Sequence, residues 1–426
     1  MKKILCFLLA LTLVMSAATA MASTQIDGLN PRNITINPAG LNDDAETCYE
    51  KGYSPTTGRK LSEIVVPDGF LGFAATGDYT PFMVQITNAD NGIGLTSAGK
   101  LYRNAPINGI YADVVYEAPQ KSTGGETRMS MIFSDTIPDF VGFVRSTRAT
   151  HPRIRQEWNA LFCTSGYSNA DVPDEWRALG VKNPGSSERS KEDPGVAYVG
   201  DYSSKPWATS VLRIFSKRGA RYSSANTEVF NLTKILLDVA PKDYVAYNHT
   251  FLFSDELPAG GDSGNIIYVK FGDVHNTDSR LEYSEADKCY FRYVKTEKSG
   301  DLPYCNNVLV NPEVKKVQGE GANVAGQGLV IDEMVAGDPI GFSNVIVQSV
   351  AFNWLGTLRP DPKLIGTGNA DYFMGGKHYQ GVWDRKDYDS RTVFYDENGN
   401  ELQLQRGRTL IILMNYNSNH TSVSYE

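Results

Sequence analysis

The sequence predicts an α+β protein, with a mixed α/β N-terminal domain over residues 61–240 and a predominantly antiparallel β domain over residues 241–415. Short runs rich in β-branched and aromatic residues, separated by Gly, Pro, Asn and Asp, recur along the chain and read as strands. Two segments with apolar residues at helical spacing interrupt them, both before Pro241. Beyond Pro241 the helical period stops and two hairpin dipeptides appear, Gly375-Gly376 and Asn398-Gly399, whose residues accept the positive φ of primed turns.

The chain opens with Lys2 and Lys3, the apolar run Ile4 to Met15, and Ala20-Met21-Ala22 before Ser23. This is the pattern of a secretory signal cleaved after Ala22. The run is too short to cross ~30 Å of hydrocarbon, and no later stretch approaches the roughly 20 apolar residues of a membrane span. Residues 23–60, rich in Asn, Pro, Gly and Asp, predict an extended arm or linker. In the first domain, strands are expected at Phe82 to Ile86, Ala112 to Tyr116, Arg128 to Phe133 and Val141 to Val144. Met129, Met131 and Phe133 alternate with Ser130 and Ile132, which gives one clearly apolar face. Helices are expected at Pro152 to Phe162 and Thr227 to Val239, with a polar surface insertion near 171–206 between them. The second domain predicts strands at Ile266 to Phe271, Cys289 to Lys295, Asn344 to Val350, Tyr372 to Met374, Arg391 to Tyr395 and Thr409 to Met414, then a tail over 416–426.

A formal charge of −8, made more negative by two when Lys2 and Lys3 leave with the signal, argues against nucleic acid as a partner. Four cysteines remain beyond the signal, Cys48, Cys163, Cys289 and Cys305. In an exported chain they can pair in three ways, and Cys289 with Cys305 would close the most local loop, worth about 3 kcal/mol in the chain-entropy model; free buried thiols are the alternative. No Cys-x-x-Cys or His-x-x-x-His spacing supports a metal, and no dinucleotide or P-loop glycine pattern supports a cofactor, so none is expected. Gly261-Asp262-Ser263-Gly264 spells a serine-protease tetrapeptide but lacks the histidine context of that mechanism and precedes a strand, where a glycine-rich connection is ordinary.

The charged set Glu117, Glu126, Arg128, Arg145 and Arg148 is the remaining candidate site. Arg145 and Arg148 follow one predicted strand and Arg128 opens the one before, so three guanidiniums are expected near neighbouring strand ends. Guanidiniums suit carboxylate or phosphate, and the two glutamates could serve as acid and base. The preferred reading is an internal Arg-Glu network fixing the sheet ends; the other is a ligand or partner site.

Several segments occur together and in order: Ala112-Asp113-Val114-Val115-Tyr116-Glu117, Gly124-Gly125-Glu126-Thr127-Arg128, Val144-Arg145-Ser146-Thr147-Arg148, Asn344-Val345-Ile346-Val347-Gln348 and Gly366-Thr367-Gly368-Asn369-Ala370. Ser54-Pro55-Thr56-Thr57-Gly58 is a weaker echo. From Gly52 to Met414 the chain thereby resembles the YerB-like proteins of Gram-positive bacteria, an envelope-associated family built on domain of unknown function 3048. It departs from that pattern at Cys163-Thr164-Ser165-Gly166-Tyr167, where a His and two Gly are expected. Family members that are lipoproteins need a Cys just after the signal core; the only Cys here is Cys6, inside it, so no lipid anchor is expected. The resemblance implies an envelope-associated protein; the export signal and the absence of a complete catalytic constellation lead to the expectation of a secreted binding or scaffolding role, its partner a cell-wall polymer or envelope protein. The alternative is a hydrolase of an envelope glycan or anionic polymer, with Glu117 and Glu126 as acid and base and the arginines holding the anion.

Overall fold

In the computed structural model the described residues are 23–38, 51–88, 106–122, 125–165, 196–198, 209–217, 228–238, 246, 249, 251–272, 278–296, 300–318, 322–323, 325–355 and 360–426. The signal, most of the 171–206 insertion, Cys6 and Cys48 lie outside them.

An eleven-stranded mixed sheet organises the molecule. Its strands run in the order Asp262–Ser263, Lys377–Arg385, Gly366–Met374, Asn344–Val350, Thr409–Asn415, Val114–Pro119, Thr127–Phe133, Phe82–Asn88, Leu161–Thr164 and Val196–Tyr198, with Val393–Asp396 on the far side of Lys377–Arg385. The boundary expected near 240 therefore does not divide the sheet, because Thr409–Asn415 pairs in parallel with Val114–Pro119. It also pairs in parallel with Asn344–Val350, a departure from the antiparallel pattern of the second half.

Both faces of the central strands are covered, so they read as near-continuous apolar runs. On one face Val84, Ile86, Val115, Met129 and Met131 share a core with Ile267, Val269, Leu281 and Tyr290 of a second, antiparallel sheet. On the other, Met83, Val114, Tyr116 and Ile132 pack with Ile154 and Trp158 of the Thr150–Trp158 helix. Ser130 is thus buried too.

The molecule is mostly β. The helix expected over 152–162 stops at Trp158 because Asn159 adopts the left-handed conformation (φ 45°), and Leu161–Thr164 continues as a strand parallel to Phe82–Asn88. The helix expected over 227–239 begins instead as strand Glu228–Asn231, paired with Phe140–Gly142 and Val211–Ser216, and only Leu232–Asp238 is helical. Cross-strand partners for Val229 and Phe230 override a helical spacing there. The Gly375-Gly376 turn has φ values of 58° and 73° and joins Gly366–Met374 to Lys377–Arg385. Asn398-Gly399 is likewise a tight turn, with Gly399 at φ 77°.

The first and last described segments are docked. Thr24–Gln25 pairs with Ser422–Tyr425, which also pairs with Ile266–Lys270, so the stretch expected to be a tail supplies an interior strand. From the expected arm, Arg32 makes a bidentate contact with Asp371, 2.9 Å to each oxygen. The expected Cys289–Cys305 bridge is absent: both thiols are free. Cys289 faces Ser284 in one sheet, while Cys305 faces Pro339 in another pairing.

Candidate functional site

A β-strand alternates its side chains between faces, and that period sorts the charged set. In the antiparallel register of Val114–Pro119 with Thr127–Phe133, Glu117 faces Met129 and Ala118 faces Arg128. Glu117 and Arg128 consequently lie on opposite faces of the sheet, and so do Glu117 and Glu126, since Glu126 reaches Arg128.

Glu117 belongs to a buried ion pair, in which Arg292 Nε and Nη1 have no hydrogen-bond partner among the described residues. Glu117 is fully buried and ion-paired to fully buried Arg292 at 3.0 Å, and it accepts hydrogen bonds from Asn88 Nδ2 (2.7 Å) and Thr127 Oγ1 (2.9 Å). Burial raises its carboxyl above the usual range, an effect that Arg292, Thr127 and Asn88 offset only in part. Arg292 lies 175 residues further along the chain and is the partner that sequence reasoning missed.

The other four residues gather on the helix-covered face. Arg128 Nη1 donates to Glu126 Oε1 at 2.9 Å, and Lys121 Nζ is 2.6 Å from Glu126 Oε2. Burial raises the Glu126 carboxyl, but Lys121 and Arg128 hold it below its ordinary value. Arg145 hangs its backbone on Gln85, whose carbonyl accepts its N–H at 2.8 Å. Arg148 Nη1 donates to Ser146 Oγ (2.9 Å) and the Thr147 carbonyl (3.2 Å). Burial, with Arg128 and Arg145 close enough to repel it, pushes Arg148 down to about 10; burial and Arg145 lower Arg128 too.

Thr150 and His151, a histidine expected from the sequence to lie at the surface or in a turn, complete the cluster. They open the Thr150–Trp158 helix, are fully buried, and follow Ala149, which supplies no side-chain cap. The Arg148 N–H donates to His151 Nδ1 at 3.0 Å, so the neutral ring carries its proton on Nε2. Burial, then Arg148 and Arg128, keep that ring neutral by pushing its pKa well below the usual histidine value. Thr150 Oγ1, His151 Nε2, Arg128 Nε and Arg148 Nε are all buried without a hydrogen-bond partner among the described residues. The signal in the sequence was adjacency: Arg148-Ala149-Thr150-His151-Pro152 puts a proline in the first turn of a helix, directly after the arginines.

A second buried polar cluster shows the contrast. Ser54 and Thr57 donate to Asp135 (2.5 and 2.6 Å), while the Ser134 and Asp135 backbone N–H groups donate to Asp113 (2.7 and 2.9 Å). Burial raises both aspartates. Here every donor meets a carboxylate, and the contact clamps the 54–58 loop to the sheet end. The arginine cluster instead has donors in excess.

Ser263 faces Lys377, and it is Asp262 that faces His378, so the Gly-Asp-Ser-Gly sequence brings no serine to a histidine. His378 bonds Asp371 instead (2.8 Å). Among the described residues no three His, Cys, Asp or Glu side chains gather as a metal site, and no helix is long and apolar enough to cross a membrane.

Two family models match the chain. Residues 104–191 match the N-terminal domain, and residues 322–411 the C-terminal domain, of a protein of unknown function, DUF3048. Among solved structures, the crystal structure of YerB protein from Bacillus subtilis superposes with a TM-score of 0.54 at 16% identity, covering 87% of this chain and 99% of that one. At that identity the likeness concerns the fold. No curated protein matches.

Proposed function

The chain belongs to the YerB-like family and carries both its DUF3048 domains, and from that premise we propose that it is an exported, envelope-associated binding protein that holds an anionic group at the arginine cluster. The observation that carries the reading is the charge balance around Arg128 and Arg148. Both are almost wholly buried, and the one carboxylate acting on them among the described residues is Glu126, shared with Lys121. Buried guanidiniums that outnumber their counter-charges are costly, and an arriving carboxylate or phosphate relieves that cost. The cluster reaches the surface through half-buried Glu126, Arg145 and Ser146. Export rests on the signal pattern of residues 1–22 and association with the envelope on the family.

The internal-network reading keeps the Arg128–Glu126 pair, but Glu117 pairs with Arg292 on the opposite face and so leaves Arg148 without a carboxylate of its own among the described residues. The hydrolase reading loses its carboxylate pair for the same reason: two carboxylates that flank one glycosidic bond must share a side.

The test is thermal melting of the mature chain at constant ionic strength in sulfate, phosphate and acetate, alongside Arg148→Met. At least one anion is expected to raise the wild-type midpoint with concentration and to leave Arg148→Met unmoved, as binding linkage requires. Equal stabilisation of both proteins would remove the site.

A further inference from the structure

We propose that the group held at the arginine cluster is a phosphoryl group and not a carboxylate; this rests on the anion-binding reading above and adds the chemical class. What supports it is the count of donors and of the elements that carry them. Arg128 Nε, Arg148 Nε, Thr150 Oγ1, His151 Nε2 and Gln85 Nε2 are all buried without partners among the described residues. Gln85 belongs to the group because its carbonyl holds the Arg145 N–H (2.8 Å) and its side-chain Oε1 accepts from Ser130 Oγ (3.0 Å), which commits the amide oxygen and leaves the NH2 group to another acceptor. Five such donors, one of them with two hydrogens, exceed the roughly four lone-pair positions of a carboxylate. A phosphoryl group offers three strongly accepting oxygens pointing in three directions and a larger charge.

The donors also come from separate elements: Gln85 and Arg128 from two sheet strands, Thr150 and His151 from the start of the helix, and Arg148 from the segment just before it. Donors that come from several elements suit the three oxygens of a phosphoryl group better than the two of a planar carboxylate. The nine-residue helix adds the preference of its dipole for negative charge at its uncapped start, where the His151 N–H is bonded to the Arg148 carbonyl and Pro152 has no N–H. A neutral His151 suits the role, because Nε2–H donates a bond without adding a further positive charge beside Arg128, Arg145 and Arg148.

The experiment is isothermal titration of the full mature chain with inorganic phosphate, glycerol 3-phosphate, a glycerol phosphodiester, acetate and malonate. At least one phosphoryl probe should bind tenfold or more tightly than either carboxylate. Preference for the monoester identifies a phosphorylated small molecule or chain end as the source, and preference for the diester identifies a polymer backbone. Thr150→Val should weaken the preferred phosphoryl probe about tenfold and leave malonate unchanged, and Thr150→Ser should restore it. Carboxylates binding as tightly as phosphoryl probes, or Thr150→Val weakening both classes equally, overturns the phosphoryl assignment while leaving the anion site. Binding of no anion by the wild type, or the same affinities in Arg148→Met, overturns the site itself.

Discussion

Glu117 and Arg148 carry opposite lessons about buried charge. Removing one partner of a buried pair leaves the other uncompensated and costs about 3–5 kcal/mol. Glu117→Gln should therefore lose that much in urea unfolding by stranding Arg292, and the double change Glu117→Gln with Arg292→Met should recover most of it; a small loss in the single variant would mean that the pair is not formed. His151 sets a pH dependence. Its folded pKa lies below the unfolded value, so its contribution is present above about pH 6.5 and is lost as the pH falls through the depressed folded value. Between pH 7.5 and 5 the wild type should lose more stability than His151→Gln, as read from urea midpoints at each pH; parallel curves would show that the ring is not held neutral by its neighbours. The sequence showed which charged residues matter, because their types and intervals are visible in it. Which of them meet depended on strand parity and on Arg292, and neither is local information.

At the scale of elements, strands were legible where β-branched and aromatic residues clustered, and Asn344–Val350 has the expected bounds. Errors fell where one apolar run satisfies two periods: Leu161 and Phe162 extend a helical spacing yet form a strand, and Val229 and Phe230 do the same. Their strand partners decide the matter and lie elsewhere in the chain. The C-terminal strand Ser422–Tyr425 was read as a tail because it is short and polar, although Val423 and Tyr425 are buried against the second sheet. Deleting residues 421–426 should cost about 1.5–3 kcal/mol for each of those two side chains and uncover an edge of Ile266–Lys270. The expected outcome is a lower melting midpoint with aggregation on heating, measured by fluorescence and light scattering together; an unchanged midpoint would mean that the strand is not part of the core.

For the whole molecule, the interleaving of N- and C-terminal strands in one sheet predicts that the halves do not unfold separately. Far-ultraviolet circular dichroism and tryptophan fluorescence should give coincident urea transitions, and two resolved transitions would contradict the shared sheet. Unfolding free energy also provides the most direct test of the arginine cluster. Fold-induced depression of Arg148 to about 10 corresponds to roughly 3 kcal/mol of charge penalty, which is of the same order as the hydrogen bonds its charged Nη1 donates to Ser146 and Thr147, worth about 1.5–3 kcal/mol each. Urea unfolding of Arg148→Met and wild type in buffer free of multivalent anions therefore discriminates between a ligand site and a structural anchor. A ligand site predicts that the variant is as stable as the wild type or more stable, whereas a loss of about 3–5 kcal/mol, the cost of breaking a buried ion pair, would contradict it.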